Sequence, residues 1–225
     1  MSAPISAAAY SMFEPQPMTC RECGLTFKAP SGFIRYCDPC TEIVLSREAE
    51  EKKRPQWDAS FPKRAISDSA RISGASLECA KSILPALQRE GTVILCGDRG
   101  TGKTVLSTWI AGEMRTGIYT KAYDLFAAIK ASWAKDSKLT EIQVLESWRR
   151  PRLLIIDEAQ ERGETVWEGR TLTNLVDHRY DDLGKATIII TNQSPEESAK
   201  TLGPSIIRRA NQTGGVIVCN WPSYV

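Results

Sequence analysis

The sequence predicts an α/β protein, a parallel β-sheet layered with helices, preceded by a small N-terminal zinc-binding module. Three observations predict it. Short, nearly unbroken apolar runs ("TVILC", "RLLIID", "ATIIIT", "GVIVC") alternate with helical patterns from residue 65 onward. Such runs suit strands covered on both faces, and the alternation with helices suits a parallel sheet. The first run leads directly into the glycine-rich stretch "GDRGTGKT", residues 97–104. Far upstream, two Cys-x-x-Cys pairs, Cys20/Cys23 and Cys37/Cys40, flank the short segment 24–36.

The elements follow in order. Residues 1–18 read as a disordered lead-in, 19–42 as the four-cysteine module, 43–64 as a charged helix and linker, and 65–225 as the α/β domain. Within that domain a helix is expected over 73–90, stopped at Gly91, then a strand at 92–96 and a helix at 102–115. A short strand at 117–121 precedes helices at 123–134 and 140–149, and the strand "RLLIID" follows. A helix at 165–182, the strand "ATIIIT", short helices at 195–201 and 204–210, and the strand "GVIVC" complete the chain.

Composition sets bounds. The 225 residues are 42% hydrophobic and 25% charged, which suits one globular domain with a small appendage. No run approaches the roughly 18 apolar residues of a membrane span, and the N-terminus lacks the basic-then-apolar pattern of an export signal. A cytoplasmic protein with no membrane partner is therefore expected. A net charge of +2 gives no bulk field for nucleic acid, so any such contact must come from local clusters. Seven cysteines, an odd number, favour reduced thiols and metal ligation over a disulfide framework.

The glycine-rich stretch fits G-x-x-x-x-G-K-[ST] through Gly97, Gly102, Lys103 and Thr104, with Asp98, Arg99, Gly100 and Thr101 between. A loop that wraps a polyphosphate must present consecutive backbone N–H groups, and glycine permits the positive φ angles of that wrap. The helix that follows adds its N-terminal dipole. Lys103 can reach the β- and γ-phosphates of a nucleotide such as ATP, and the Thr104 hydroxyl can ligate Mg²⁺. The strand "RLLIID" ends in Asp157 and Glu158, expected on a strand next to the loop. Asp157 can hold Mg²⁺, and Glu158 can orient and deprotonate water. "ATIIIT" ends at Asn192, whose amide can bond the γ-phosphate or the attacking water, or simply start the turn before Pro195. "GPSIIRRA" carries Arg208 and Arg209, either solvated or aimed at a neighbouring subunit's nucleotide.

Four motifs in this order, with the ending "CNWPSYV", resemble the bacterial and phage replicative helicase loaders of the DnaC and DnaI type. These are AAA+ P-loop ATPases related to the IstB transposition helpers. The resemblance covers about residues 62–225, and "IYTKAYDLFAAIK" is similar to the family's strand and following helix. It implies ATP hydrolysis at subunit interfaces of a homo-oligomer, a hexameric ring or spiral when bound. It further implies a sensor role for Asn192 and a trans-acting arginine at Arg209, with Arg208 the alternative. A hexameric DnaB-type helicase and single-stranded DNA are the implied partners. Two other functions keep the same site: an IstB-like transposition helper, and a zinc-dependent adaptor with structural ATP.

Cys20, Cys23, Cys37 and Cys40 fit a four-thiolate zinc ribbon, whose metal supplies the folding energy that so short a segment cannot find in a core. By resemblance this module grips the helicase. Cys79, Cys96 and Cys219 fall in helix or strand patterns and read as core residues. His178 reads as a surface histidine. Trp133 and Trp148 sit among Lys130, Lys135, Lys138, Arg149 and Arg150, either as stacking surfaces for single-stranded nucleic acid or as core aromatics beside solvated charges.

Overall fold

Alternation along the strands builds the core. In the computed structural model the described residues are 16–29, 34–53, 59–163 and 165–222. The chain divides into two units, Met1–Pro55 and Gln56–Val225. The lead-in at 1–15 and the linker residues 54–58 lie outside the described residues.

In the first unit β1 (Gln16–Thr19) and β2 (Thr26–Ala29) pair antiparallel, and α1 (Asp38–Lys53) follows. The hairpin was not foreseen. Helix α1 starts earlier than the expected charged helix and carries Cys40, so it runs across the 42/43 boundary.

The second unit begins with α2 (Lys63–Ser69), a short helix the sequence did not reveal, and α3 (Gly74–Gln88). Next come β3 (Thr92–Cys96), α4 (Lys103–Met114), β4 (Ile118–Lys121), α5 (Ala122–Ala131) and α6 (Glu141–Arg149). The chain continues through β5 (Leu153–Asp157), α7 (Val166–Asp177) and β6 (Ala186–Ile190). It ends with α8 (Pro195–Leu202), α9 (Pro204–Thr213) and β7 (Val216–Val218). Local chemistry sets several boundaries. Thr140 with Gln143, and Ser194 with Glu197, form reciprocal capping boxes that start α6 and α8. The helix expected over 165–182 changes at His178 into a π-helical turn, His178–Asp182.

That turn buries Arg179 completely. Its guanidinium donates to the carbonyls of Trp148, Arg149 and Pro151 at 2.8–2.9 Å and to Thr187 Oγ1 at 3.0 Å. Burial pulls its pKa down to about 9. The side chain thereby ties the start of β5 to that of β6.

The five strands lie in the order β4-β5-β6-β3-β7, and every neighbouring pair is parallel. One expectation needs correction here: β5, which carries Asp157, is not adjacent to β3, because β6 intervenes. Unbroken apolar strands look alike in sequence, so their lateral order is not encoded locally. Successive side chains point to opposite faces. Val93, Leu95, Leu153, Ile155, Ile188 and Ile190 meet α3 and α4 in one apolar cluster, while Ile94, Leu154, Ile156 and Ile189 meet α5, α7 and α9 in another. Each fully buried Leu or Ile contributes about 1.5–3 kcal/mol. The two-sided core fixes the sheet, and the loops at its carboxyl edge hang from fixed points.

Candidate functional site

The glycine loop leaves β3 at that edge. Gly97, Gly100 and Gly102 have φ of +116°, +86° and +79°, a region that side-chain-bearing residues rarely adopt. At Gly97 space forbids a side chain as well, since a Cβ would stand 2.7 Å from the Cys219 carbonyl oxygen. The loop closes at Lys103, the first residue of α4. Lys103 is buried, and its Nζ donates to the carbonyls of Gly97 and Asp98 at 2.7 Å each. Burial holds its pKa below the usual lysine value. The ammonium therefore sits inside the bend, where a phosphate oxygen is the natural partner of a desolvated cation. Arg99 points outward and pairs with Glu161 at 2.7 Å.

Asp157 ends β5 facing the loop. Its Oδ2 accepts from Thr104 Oγ1 at 2.7 Å and from the Tyr119 hydroxyl at 2.9 Å, while Oδ1 accepts from the Glu158 amide at 2.7 Å. A hydroxyl and a carboxylate in contact are hard oxygen donors, a set that fits Mg²⁺ bound with its waters. Glu158 adopts a left-handed conformation, φ +53° and ψ +43°, uncommon for a residue with a side chain and costing about 1 kcal/mol or more. Its carboxylate pairs with Lys121 at the end of β4, at 2.9 Å. Asn192 follows β6, and its backbone N–H donates to Gln160 Oε1 at 3.1 Å. Lys103, Thr104, Asp157, Glu158 and Asn192 line one cavity of about 490 Å³ together with Pro62, Arg64, Ala65 and Asp68. The structure thus brings Lys103, Thr104, Asp157, Glu158 and Asn192 together. Tyr119, Lys121 and the wall formed around α2 were missed. Tyr119 and Lys121 occupy alternate positions of β4, a pattern legible only once that strand's neighbour is known.

Arg209 does not join this cavity. Its side chain is 7% exposed and pairs with Asp177 at 2.5 Å and Asp181 at 2.7 Å, stacked 4.9 Å from the Tyr180 ring centre. Those carboxylates hold its pKa above the ordinary arginine value. Arg208, one position back, is exposed and lines a separate surface cleft with Pro204 and Ile207. Of the cations near the tryptophans, Lys130 pairs with Glu168, and Arg149 and Arg150 pair with Glu146. Trp133 lies beyond α5, 52% exposed, with its ring edge-on to Trp167 at 5.0 Å.

In the first unit the sulfurs of Cys20, Cys23, Cys37 and Cys40 all lie within 4.8 Å of one another, the one metal-ligating cluster among the described residues. Cys23 and Cys37 stand 3.8 Å apart, matching the roughly 3.8 Å edge of a tetrahedron with Zn–S bonds of about 2.3 Å. Gly24, at φ +73°, turns the first knuckle. Its N–H donates to the Cys20 carbonyl at 3.0 Å, and the Cys37 amide reaches Cys20 Sγ at 3.5 Å. N–H groups from the Cys23 and Cys37 backbone draw the Cys20 pKa down to about 6, while neighbouring thiols push that of Cys40 up. The donor set fits zinc and leaves it no open position.

Among curated proteins nothing matches this chain. Solved structures share its fold. The DnaC helicase loader superposes with a TM-score of 0.58 at 18% identity, covering 70% of this chain and 99% of that one. DnaI follows at 0.52 and 16%, covering 70% and 94%. DnaA from Aquifex aeolicus, bound to AMPPCP, gives 0.57 and 18%, covering 72% and 51%, so this chain spans about half the length of that protein. The family model described as IstB-like ATP binding protein matches residues 81–210, which reach from α3 through the glycine loop, Asp157 and Asn192 to α9. With that match over the fold and loop described above, the chain belongs to the IstB-like ATP-binding proteins and is a P-loop ATPase.

Proposed function

We propose that this protein is an ATP-dependent loader that places a hexameric replicative helicase on single-stranded DNA. The observation that carries this is the combination of a four-thiolate module with an ATPase unit whose fold spans 99% of the DnaC helicase loader. On this proposal the loop amides of residues 97–103 bind the phosphates and Lys103 neutralises the β- and γ-oxygens. Thr104 and Asp157 hold Mg²⁺, which when bound neutralises charge developing between the β- and γ-phosphates. Glu158 accepts the proton of the attacking water once it leaves Lys121, and the Asn192 amide holds that water in line. A neighbouring subunit supplies the last cation. The exposure of Arg208 supports it for this role over Arg209, whose two carboxylates already hold it. The zinc module grips the helicase while nucleotide state governs the hold on DNA.

The test is retention of a purified hexameric helicase by the zinc-loaded full chain, with ATP, ADP and no nucleotide. Retention that changes with nucleotide is expected, and its absence in all three overturns the loader assignment. The family match favours a second function, a transposition helper with the same ATPase site engaging a transposase on duplex DNA. Turnover stimulated by duplex and not by single strands selects it. If the wild type and Glu158→Gln share equal, negligible turnover with either DNA, ATP is structural and the protein is an adaptor.

A further inference from the structure

The segment from Cys219 to Trp221 has no part in the chemistry above, yet it lies against the back of the glycine loop. Strand β7 pairs with β3 up to Cys96 opposite Val218, and the Cys219 amide then donates to the Cys96 carbonyl at 2.8 Å. This pairing carries the chain past the loop. The Cys219 carbonyl closes on Gly97, and two residues later the Trp221 indole Nε1 donates to the Thr101 carbonyl at 2.6 Å. Trp221 packs against the apolar cluster that contains Leu95 and Leu106. The tail thus touches the loop near both ends, at Gly97 and at Thr101. Trp221 is not among the residues that line the cavity.

We infer that Trp221 is a positioning residue for nucleotide binding, one that fixes the Thr101–Gly102 peptide so that its N–H faces the phosphates. A trans peptide is planar with its C=O and N–H antiparallel. Anchoring the Thr101 oxygen against the tail therefore aims the Gly102 N–H the opposite way, into the bend. Gly100 and Gly102, on either side of Thr101, both lie at positive φ and carry no Cβ to restrict rotation of the backbone. Without an anchor the peptide can rotate, and the loop loses one aligned donor. Thr101 is itself buried, and its hydroxyl is engaged with the Asp98 carbonyl at 3.1 Å, so the indole is the group that holds the carbonyl.

This inference rests on residues 97–104 being the phosphate-binding loop. The experiment compares wild type, Trp221→Phe and Lys103→Ala by calorimetry with ATP and AMP, alongside thermal melts and steady-state kinetics. Trp221→Phe keeps an apolar ring and deletes the donor. Its expected effect is a 3- to 10-fold loss of ATP affinity with KM rising in step, kcat within twofold of wild type, and weak AMP binding unchanged (one hydrogen bond's worth, converted at about 1.4 kcal/mol per decade). A role confined to stability lowers the melting temperature and leaves ATP affinity alone well below it, and that result overturns the inference. So does equal ATP affinity in a folded Trp221→Phe protein when Lys103→Ala binds poorly. A wild type that binds no triphosphate, or a Lys103→Ala protein that binds normally, sinks the loop assignment and takes the inference with it. Should Trp221→Phe not fold, the wild-type chain still decides. Its indole N–H resonances, with the other five tryptophans assigned through their own Phe variants, must show the Trp221 signal shifting as ATP saturates. A signal that stays put overturns the inference.

Discussion

Replacing Arg209 by alanine removes a cation from between two carboxylates and an aromatic ring. Breaking a fully buried pair costs about 3–5 kcal/mol, because the surviving charge is left without a partner. Here Asp177 and Asp181 are 31% and 51% exposed, so water rehydrates them and much of that penalty disappears. Loss of the stacking on Tyr180 adds up to about 1 kcal/mol. The balance is about 2–3 kcal/mol, which for a unit of this size lowers the melting temperature by about 4–12 °C. Arg208→Ala removes an exposed side chain and leaves melting within about 1–2 °C, the range of ordinary surface changes. It should nevertheless lower turnover about a thousandfold or more in the assembled oligomer, the loss expected of a trans arginine. The assay pairs calorimetric melts with ATPase rates measured across protein concentration. An Arg209→Ala protein that melts with wild type but fails to turn over ATP refutes the reasoning, because Arg209 then serves the neighbour. An Arg208→Ala protein with wild-type turnover refutes the assignment of Arg208.

Three further outcomes are expected. Tyr119→Phe deletes one of the two side-chain donors to Asp157 Oδ2, so the Mg²⁺ concentration for half-maximal turnover should rise about threefold or more, while ATP binding in EDTA stays unchanged. Cys40→Ser should abolish binding of one zinc per chain, read by native mass spectrometry, and disorder the four-cysteine unit, while the melt of the ATPase unit remains. Lys103 has a folded pKa depressed by burial, so its charge is lost at a lower pH than that of an exposed lysine. ATP affinity, read by calorimetry, should therefore fall as pH climbs toward about 10.5. Over the same window the unfolded chain binds the additional proton, so Lys103's own contribution to the stability of the nucleotide-free protein should rise with pH.

What the sequence disclosed tracks how local each cause is. Strands β3, β5 and β6 were legible because burial on both faces demands an unbroken apolar run. The glycine loop was legible because positive φ angles and close backbone approach admit one residue type. Strand order was not, since β6 lies between β3 and β5 for reasons of packing that no single strand records. Helix α2 escaped because seven residues offer barely two turns, and it buries Ala65 alone. Tyr119 and Lys121 reach Asp157 and Glu158 across a strand pair 38 and 37 positions away in sequence, beyond any local pattern.

The burial of Arg209 differs from these cases, because its signal was present in the sequence. Ile206, Arg209 and Ala210 are spaced i, i+3, i+4, so one helical stripe carries all three, and that stripe is the buried one in α9. Arg208 falls off it. The acceptor side carries a matching mark: Asp177 and Asp181 are four apart, on one face of the turn that continues α7. An arginine inside an apolar stripe needs a partner to be buried, and two acids on one helical face supply it. Motif alignment ranks the two arginines by position along the chain. The physical requirement ranks them by which side chain the core has already claimed, and Arg208 is the one left exposed.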